Sequence, residues 1–425
     1  MIFRDDFLHF THAFQPLLKG ESKIMRMRSL GAILLAAGVL TVSAHAQNSL
    51  NARYSRDIGS PTDGRLRPTP YPSVEQAYLP AIQLSSHAAN LIALKNGDIL
   101  CFWFTGTWEG QSGVGIAMSR LRPGSHQWTR PVLIDSQPSV SFQNPVPFQA
   151  PDGMLWLFHS TQGAGKGETQ AHVLVLQSRN NGKIWSKPRI MFHQTGIFDR
   201  DPLVIMPNGN WLFPLYMATG KTSQQNYPIV KISSDQGKTW RTCRFPGAGG
   251  MVQPSVILLP DHHYVAFLRS RDATWIYRST SSDGCHWTTP VATSLPNNDA
   301  SIQATMLRNH DIVMAFNNSP RVTIHGKIRP GPRKPVTLAI SQDGGKTWPW
   351  MRNIETGRPG ATIALEKEKK PGREAYSYPS VIQDPDGKID VAFTYRRETI
   401  KFLRLPESWI RQDAQTAGAT QRHLP

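Results

Sequence analysis

Short apolar runs that end in a tight-turn dipeptide recur along most of the chain. Asn-Gly and Asp-Gly between apolar runs favour two-residue β-hairpins. The dipeptides are Asn96-Gly97, Asp152-Gly153, Asn208-Gly209, Asp261-His262, Asn309-His310 and Asp386-Gly387, at spacings of 56, 56, 53, 48 and 77 residues. Runs of strand-like composition flank each dipeptide, as Pro254–Leu259 and Tyr264–Leu268 do. The pattern predicts a β-hairpin that is repeated along the chain.

A second motif, Ser-x-Asp-x-Gly-x-x-Trp, follows most of the hairpins. Short polar side chains cap the donors of their own turn, glycine adopts a conformation closed to other residues, and tryptophan packs between neighbouring repeats. The full copies are Ser233–Trp240 and Ser341–Trp348, and the weaker ones are Ser178–Trp185 (with Asn180 in place of the aspartate), the shorter Ser281–Trp287 and a degraded copy at Trp128. This chemistry predicts a structural role and not a catalytic one.

The two repeats together predict an all-β fold, a six-bladed β-propeller with four-stranded antiparallel blades over residues 76–412. An early strand near Tyr78–Leu84 would complete the last blade and close the ring, which removes exposed strand edges. A seventh blade, built from residues 50–85 or from the long stretch 309–386, is the alternative.

Propeller geometry converts the repeat into a prediction of the site. The turns and the second motif share one face, so the start of strand 1 and the end of strand 2 meet on the other face around a central funnel. Positions about eight residues before each turn are His87, Asn144, Arg200, Gln253, Ser301 (with Gln303 nearby) and Tyr378. The partner positions after each turn are Phe104, Ser160 (next to His159), Tyr216, Arg269, Asn317 and Tyr395. Polar groups collected at one end of every blade predict a ligand-binding funnel.

The N-terminus has the pattern of a signal peptide. Arg26 and Arg28 precede an apolar run over residues 30–42, and Ala44-His45-Ala46 supplies a small-residue cleavage site. The run is shorter than the roughly 20 apolar residues of a membrane span, so we expect no stable membrane anchor. We therefore expect a signal peptide over 1–46 (1–24 being a mis-assigned start or an extended n-region), a linker over 47–75, a flexible tail over 413–425, and a secreted or periplasmic protein.

Charge and cysteine content narrow the class of partner. The net charge is +17, and residues 1–46 hold five basic and three acidic residues, so the remainder would carry +15. Such a charge favours an anionic partner. Because no nucleic-acid motif is present, we expect a monomer that takes an acidic oligo- or polysaccharide and no nucleic acid. Cys101, Cys243 and Cys285 are too few and too scattered for a disulfide framework or a metal site, so we expect no metal and no cofactor.

From Ser86 to Trp409 the chain resembles the BNR-repeat-like branch of the sialidase superfamily, in which the second motif is called the Asp-box. The segments that carry the resemblance are SHAANLIALKNGD (86–98), QNPVPF (143–148), VQPSVILLPD (252–261), FLRSRDATWIYRS (267–279), LPNNDASIQ (295–303), PVTLAISQDGGKTWPW (335–350) and YSYPSVIQDPDGKIDVAFTYRRETIKFLR (376–404). The resemblance implies an enzyme of acidic sugars. Members are usually labelled sialidase-like, whereas a group of similar propellers are lyases that cut rhamnose from glucuronate.

The sequence departs from the sialidase pattern at the first blade. An exo-sialidase binds the sialic carboxylate with three arginines, protonates the leaving oxygen with an aspartate and attacks with a tyrosine activated by a glutamate. Its first arginine lies in a Tyr/Phe-Arg-Ile-Pro motif, where this chain reads Tyr78-Leu79-Pro80-Ala81-Ile82. The missing arginine favours a polysaccharide lyase over a sialidase. A sialidase built on this chain would use Tyr376 or Tyr378 as its nucleophile. A non-catalytic propeller that binds acidic glycans is a further alternative.

β-Elimination at a uronic acid needs cations on the carboxylate, a base for the C5 proton and an acid for the glycosidic oxygen. We expect His87 to take the acid–base role, with Tyr378 or Tyr395 assisting. The carboxylate clamp is expected from Arg200, Arg269, Arg271 and Arg333. The remaining substrate-binding candidates are Asn144, His159, Gln253, Gln303 and Asn317.

Overall fold

The structure is a computed structural model that describes residues 44–358 and 371–412. Two units divide the chain: in the first, residues 1–48, the described residues 44–48 are helical, and in the second, residues 49–425, the chain is helical over 49–58. Nearly all of the expected signal peptide and the whole expected tail lie outside the described residues. Among the described helices, none is long and apolar enough to cross a membrane.

The described strands form six blades around a central axis. The first blades are blade 1, β3 (Ser85–Ala93), β4 (Ile99–Gly106), β5 (Gly115–Leu121) and β6 (Val132–Asp135), blade 2, β7 (Val140–Gln149), β8 (Leu155–Gly163), β9 (His172–Ser178) and β10 (Arg189–Phe192), and blade 3, β11 (Ile197–Asp199), β12 (Val204–Ile205), β13 (Trp211–Ala218), β14 (Asn226–Ser233) and β15 (Arg241–Arg244). Blade 4 is β16 (Met251–Leu258), β17 (Tyr264–Ser270), β18 (Trp275–Ser281) and β19 (Val291–Pro296), and blade 5 is β20 (Gln303–Met306), β21 (Ile312–Asn317), β24 (Val336–Ser341) and β25 (Trp350–Glu355).

The sixth blade closes the ring with N-terminal chain. It contains β26 (Tyr376–Gln383), β27 (Ile389–Tyr395) and β28 (Thr399–Leu405), and its outer strands are β2 (Glu75–Tyr78) and β1 (Arg67–Pro68). The strand that closes the ring, β2, ends at Tyr78, the residue at which we expected a closing strand to begin. The helix over 49–58 and β1 lie within residues 47–75, which we expected to be a linker. A short helix, Glu407–Arg411, follows β28.

The prediction of a six-bladed all-β propeller is confirmed. The extra chain after Asn309 forms no seventh blade within the described residues. Instead, β22 (Val322–Ile324) and β23 (Lys327–Arg329) form a separate hairpin between the second and third strands of blade 5.

Apolar side chains fill each of the six interfaces between neighbouring described blades. One cluster packs Phe102 and Met118 of blade 1 against Leu157 of blade 2, and the next packs Phe158 of blade 2 against Phe213 of blade 3. The remaining four interfaces each contain a cluster of the same kind. Because each blade is covered on both faces, its strands are apolar along most of their length.

The Asp-boxes lie at the end of the blades where strands 1 and 2 join. In blade 3, Ser233 pairs with Trp211, so the box and the Asn208-Gly209 turn lie at the same end. In blade 5, Asp343 Oδ1 accepts bonds from Ser341 Oγ at 2.8 Å and from the backbone N–H groups of Lys346 and Thr347 at 2.9 Å. Gly345 has φ 80°, and a β-carbon there would lie 2.2 Å from Phe267, so the box requires a glycine.

β-Bulges interrupt the innermost strands at the opposite end of four blades. The register shifts after His87, Gln143, Val252 and Ser377. The next residue in each strand has a positive φ, with values of 58° at Ala88, 50° at Asn144, 51° at Gln253 and 56° at Tyr378. Since a bulge re-aims the side chain that it carries, these positions point to a functional site at that end of the ring.

One disulfide corrects our reading of the cysteines. Cys243 of β15 is bonded to Cys285, in the turn between β18 and β19, with 5.1 Å between their Cα atoms. The bond joins blades 3 and 4, across a 42-residue separation in sequence. Cys101, in the apolar strand β4, is a free thiol and is buried.

The Asp-box of blade 5 yields a test of its structural role. Asp343→Ala should lower the unfolding free energy by about 1 kcal/mol, because several turn hydrogen bonds are lost at a partly exposed site. Affinity for acidic sugars should be unchanged, since the box lies away from the bulged ends. Urea unfolding and calorimetric titration measure the two quantities. Unchanged unfolding with abolished turnover would instead place the box in the active site.

Candidate active site

Tyr378 lies at the centre of a cluster of arginines. Its bulge in β26 leaves the side chain 7 % exposed. The guanidinium carbons of Arg200, Arg269 and Arg333 lie 5.4, 5.5 and 5.4 Å from the centre of its ring. Arg269 Nη1 donates to the Tyr378 hydroxyl at 2.7 Å. The arrangement concentrates positive charge around a single phenol.

Arg269, at the end of β17, is fixed in place by three neighbours. Its Nη1 also donates to Gln253 Oε1 at 2.9 Å, so the bulge of blade 4 carries the partner of this arginine. Its Nε and Nη2 donate to Asp299 Oδ1 at 3.0 and 2.6 Å. Burial alone would lower the pKa of Arg269, but Asp299 and Tyr378 raise it well above its usual value. The guanidinium is therefore a permanent charge beside the phenol.

The loops above the bulges add further ion pairs. Arg397, in the turn between β27 and β28, bonds Glu109 at 2.8 Å. Arg271 bonds Glu168 and lies 5.8 Å over the ring of Tyr216. Burial opposes ionisation of Glu109, yet Arg397 and Arg333 lower its pKa, so this carboxylate is ionised.

Trp108 is flanked by two arginines of the same cluster. The guanidinium carbons of Arg397 and Arg373 lie 5.0 and 5.6 Å from its ring. In the described chain the funnel thus holds Arg269, Arg271, Arg333, Arg373 and Arg397 against Glu109, Glu168 and Asp299. This concentration of guanidinium groups suits an anionic ligand.

Arg200 forms the floor of the funnel and not its wall. The side chain is 1 % exposed. Its Nε donates to Ser301 Oγ at 2.8 Å, Nη1 to Ala89 O at 3.0 Å, and Nη2 to Tyr378 O and Pro379 O at 3.1 and 3.0 Å. Every guanidinium nitrogen therefore binds the fold itself, which corrects our assignment of Arg200 to the carboxylate clamp.

Two of the expected substrate-binding amides belong to the same floor. Gln303 bonds Asn90 at 3.3 Å and accepts from Ser380 Oγ at 2.7 Å. Asn144 donates to the carbonyl of Asp199 at 3.0 Å. Each of these bonds joins two different blades, so Gln303 and Asn144 stabilise the floor on which Tyr378 is placed.

His87 lies beneath Tyr378 and is closed to solvent. Its ring is 0 % exposed and lies 4.3 Å, centre to centre, from the Tyr378 ring. Nδ1 is 2.7 Å from Thr394 Oγ1. Burial, followed by the charges of Arg397, Arg333 and Arg200, lowers the pKa of His87 well below its usual value. The ring is a neutral support for Tyr378, which corrects the expectation that His87 meets substrate directly.

The structure does not bring three expected residues to this cluster. His159 is fully buried and lies 3.0 Å from Asp135. Tyr395 packs between Tyr78 and Tyr376, at 5.0 and 4.8 Å between ring centres, and burial raises its pKa far above the usual value. Asn317 donates to the carbonyls of Pro335 and Tyr376. These side chains stabilise the fold, and we remove them from the candidate site.

Loop residues were missed by the sequence reasoning. Counting from the turns finds strand ends, whereas Glu109, Glu168, Arg373 and Arg397 lie in loops of different lengths, and Asp299 lies just before β20. One signal was available in the sequence: the basic pair Arg396-Arg397 fills a short connection between two apolar runs.

Fold and site together define a class of protein: a six-bladed propeller with Asp-boxes on one face and an arginine-rich funnel around a tyrosine on the other. Residues 97–391 match the family described as the BNR repeat-like domain, and the chain belongs to this family. The resemblance drawn from the sequence is therefore confirmed. No curated protein matches the chain.

Several solved structures share the fold. The Hadza microbial sialidase Hz136 is 16% identical, with a TM-score of 0.61 over 77% of this chain and 67% of that one. The intramolecular trans-sialidase from Ruminococcus gnavus is 14% identical, with a TM-score of 0.61 over 78% and 97%. A protein of unknown function from Dyadobacter fermentans is 18% identical, with a TM-score of 0.60 over 79% and 100%. At these identities the likeness concerns the fold alone.

Two buried carboxyl groups beside the floor predict a pH dependence of stability. Burial raises the pKa of Asp201 to about 8 against the opposing effects of Arg200, Ser255 and Gln303, and it raises that of Asp199 to about 8 as well. An unfolded aspartate loses its proton near pH 4, whereas these groups keep theirs in the fold. Each therefore contributes stability that is complete below about pH 4 and is lost as the pH rises toward 8, by up to about 1.4 kcal/mol per pH unit.

Asp201→Asn keeps the shape of the side chain and cannot ionise. We expect the variant to lose less stability than the wild type between pH 5 and pH 8. Urea unfolding across this range measures the difference, with Asp261→Asn on an exposed turn as the control for loss of a carboxylate. Parallel stability curves for Asp201→Asn and the wild type would show that Asp201 is ionised in the fold.

Proposed function

We propose that the protein is a carbohydrate-active enzyme that cleaves an acidic glycan in this funnel, by β-elimination next to a uronic acid. The observation that carries the proposal is the contact between Arg269 and the Tyr378 hydroxyl, with Arg333 beside the same ring. In this contact a guanidinium group donates to a tyrosine hydroxyl, and further arginines beside it are available to hold a carboxylate.

The cations supply the first requirement of the reaction. Guanidinium groups bind carboxylates with paired, charge-assisted hydrogen bonds. Neutralising the uronate carboxylate stabilises the negative charge that develops at C5 when its proton leaves. Arg333, over the ring of Tyr378, and Arg397, over the ring of Trp108, are the candidates for this contact, and a ligand carboxylate would compete with Glu109 for Arg397.

Tyr378 supplies proton transfer. The step requires Tyr378 to react as the tyrosinate: its phenolate oxygen, at the position that accepts a hydrogen bond from Arg269 Nη1, takes the C5 proton and becomes the hydroxyl. The C4–O bond then breaks, the C4–C5 double bond forms, and the same hydroxyl returns a proton to the leaving oxygen. His87 acts through Tyr378 by supporting its ring, and it is a positioning residue in this proposal. Glu109, being ionised, is a poor source of the proton.

Hydrolysis of a sialoside is the second candidate. The names of two structural neighbours favour it, since they are sialidases or trans-sialidases. Against it, the tyrosine whose hydroxyl contacts a carboxylate is Tyr376, which bonds Glu374 at 2.5 Å and is 0 % exposed. A nucleophile activated in that way needs access to the sugar, and Tyr378, the more exposed of the two at 7 %, bonds an arginine instead.

Tyr378→Phe tests the reacting group. Turnover of the cleaved glycan should fall by about 10²- to 10⁴-fold, the usual contribution of a positioned acid or base, while affinity changes little. Tyr264→Phe, which removes a hydroxyl far from the funnel, should leave turnover unchanged. The measurement is ultraviolet absorbance of the unsaturated uronate, on a panel of uronate- and sialate-capped glycans. Release of free sialic acid would replace the lyase by a hydrolase, and binding of every acidic glycan without any product would identify a binding protein.

Arg333→Lys tests the carboxylate contact. Lysine keeps the charge but offers no planar pair of donors, so affinity for an acidic monosaccharide should fall roughly tenfold. Arg122→Lys, at an exposed arginine beyond the end of β5, is the matched control. Equal affinity in the Arg333→Lys variant and the wild type would remove Arg333 from the binding contact.

A further inference from the structure

The hairpin inserted in blade 5 carries positive charge that the funnel does not use. Between Asp311 and Asp343 the sequence contains five basic residues and no acidic one. Arg333 belongs to the funnel and Lys334 is half-buried, which leaves Arg321, Lys327 and Arg329 on exposed positions of the insertion. Such a segment has no carboxylate of its own to neutralise it.

Strand geometry places two of these cations together. β22 and β23 pair with Val322 opposite Arg329 and Ile324 opposite Lys327. Alternate residues of a strand share a face, so Lys327 and Arg329 lie on the same face of the ribbon, about 7 Å apart along it. Ile328, on the other face, is 66 % exposed. The ribbon therefore presents a pair of charges and is not buried against a blade.

The base of the hairpin is bound to the funnel. Arg321 Nε donates to the carbonyls of Asp272 and Ala273 at 2.8 and 3.1 Å, in the loop that follows β17. On the return side, Asn298 donates to the carbonyl of Pro332 at 2.7 Å, and Arg333 Nη2 reaches that of Asp299 at 3.4 Å. Asp299 is the residue that fixes Arg269 beside Tyr378. The charged hairpin is thus continuous with the proposed active site.

An exposed aromatic ring lies at the same edge. Trp275 begins β18, two residues after the carbonyl of Ala273 that Arg321 holds, and is 44 % exposed. A large aromatic side chain on the surface has no part in the core, and it offers an apolar face to a sugar ring. The bonds of Arg321 to Asp272 and Ala273 thus join the base of the hairpin to the segment that leads into Trp275.

We propose that Trp275 and the β22–β23 hairpin form a second sugar-binding surface, which takes further acidic residues of a polysaccharide whose cleaved unit lies in the funnel. The inference rests on the proposed function and specifies its substrate as a polyanionic chain with repeated carboxylates, and not a single acidic sugar at the end of a neutral glycan. Lys327 and Arg329 attract the neighbouring carboxylates, and Trp275 packs against a sugar ring.

Calorimetric titration with oligogalacturonates, from the monosaccharide to the hexasaccharide, tests the surface. Affinity of the wild type should rise with length. Lys327→Gln/Arg329→Gln should leave monosaccharide affinity unchanged, lower hexasaccharide affinity about three- to tenfold, and reduce the salt dependence of binding by about one to two charges. Trp275→Ala should also weaken only the longer ligands. Lys238→Gln/Lys346→Gln, at exposed lysines in two Asp-boxes on the opposite face, is the control of equal charge and should match the wild type.

Each outcome separates this inference from the proposed function. Monosaccharide binding that depends on Arg333, with no gain from length or no loss in the hairpin variant, overturns the second surface alone. Failure of the monosaccharide and of every longer oligogalacturonate to bind removes the funnel and the surface together. A single-stranded oligodeoxynucleotide of equal charge should bind more weakly than the hexasaccharide. Equal binding, with equal sensitivity to the hairpin substitutions, would show an unspecific polyanion surface and overturn the proposal.

Discussion

The buried guanidinium of Arg200 joins three blades at the centre of the ring. It bonds blade 1 through Ala89, the start of blade 5 through Ser301 and blade 6 through the carbonyls of Tyr378 and Pro379. An unpaired charge at such a depth would cost several kcal/mol, and four acceptors offset that cost. Because two of these acceptors belong to the bulge of β26, the same contact fixes the backbone from which Tyr378 rises. The floor and the backbone that carries Tyr378, the proposed reacting group, are therefore held by the same contact.

The arginines above the floor face a different constraint. Arg269, Arg271 and Arg397 are each paired with a carboxylate, and the pairing keeps crowded cations at fixed positions without a ligand. A ligand carboxylate that enters must compete with carboxylates of the protein such as Asp299 and Glu109. Specificity then depends on geometry as much as on charge, because an anion of the wrong shape gains nothing by displacing a bonded one.

The sequence predicted the ring better than the site. Hydrophobic repeats and Asp-boxes determine the blades because every blade needs the same two faces, the same turn and the same box. A count of eight residues back from the turns reaches the bulges themselves, at Asn144, Gln253 and Tyr378. In blade 1 that count gives Ala88, and our choice of its neighbour His87 shifted the position by one. Along a strand one residue reverses the face, so His87 lies in the packed layer and not at the open end.

The same limit explains Tyr395 and the disulfide. Tyr395 pairs directly with Tyr376 across the hairpin, and the two share the apolar layer between blades 5 and 6. A tyrosine at this position suggested a catalytic role. Alternate residues of a strand point to opposite faces, however, and Tyr395 lies on the face that packs between the blades. Cys243 and Cys285 meet because strand 4 of one blade lies against the Asp-box turn of the next. That contact depends on how neighbouring blades are rotated, which no spacing along the chain records.

The residues of the funnel come from two kinds of element, strands and the loops that connect them. Tyr378, Gln253 and Arg269 lie on the paired strands β26, β16 and β17, so their positions follow from the register and from the bulges. Glu109, Glu168, Arg333 and Arg397 come from connections between strands 2 and 3, whose lengths differ from blade to blade. A reacting group needs placement to within about 0.5 Å, which rigid strands provide, while loops can change sequence and length without disturbing the ring. The hairpin of blade 5 is the largest such change in the described chain. It adds charge beside the funnel without altering a residue of the floor, so in the proposed enzyme the range of ligands can change while the residues that place Tyr378 stay the same.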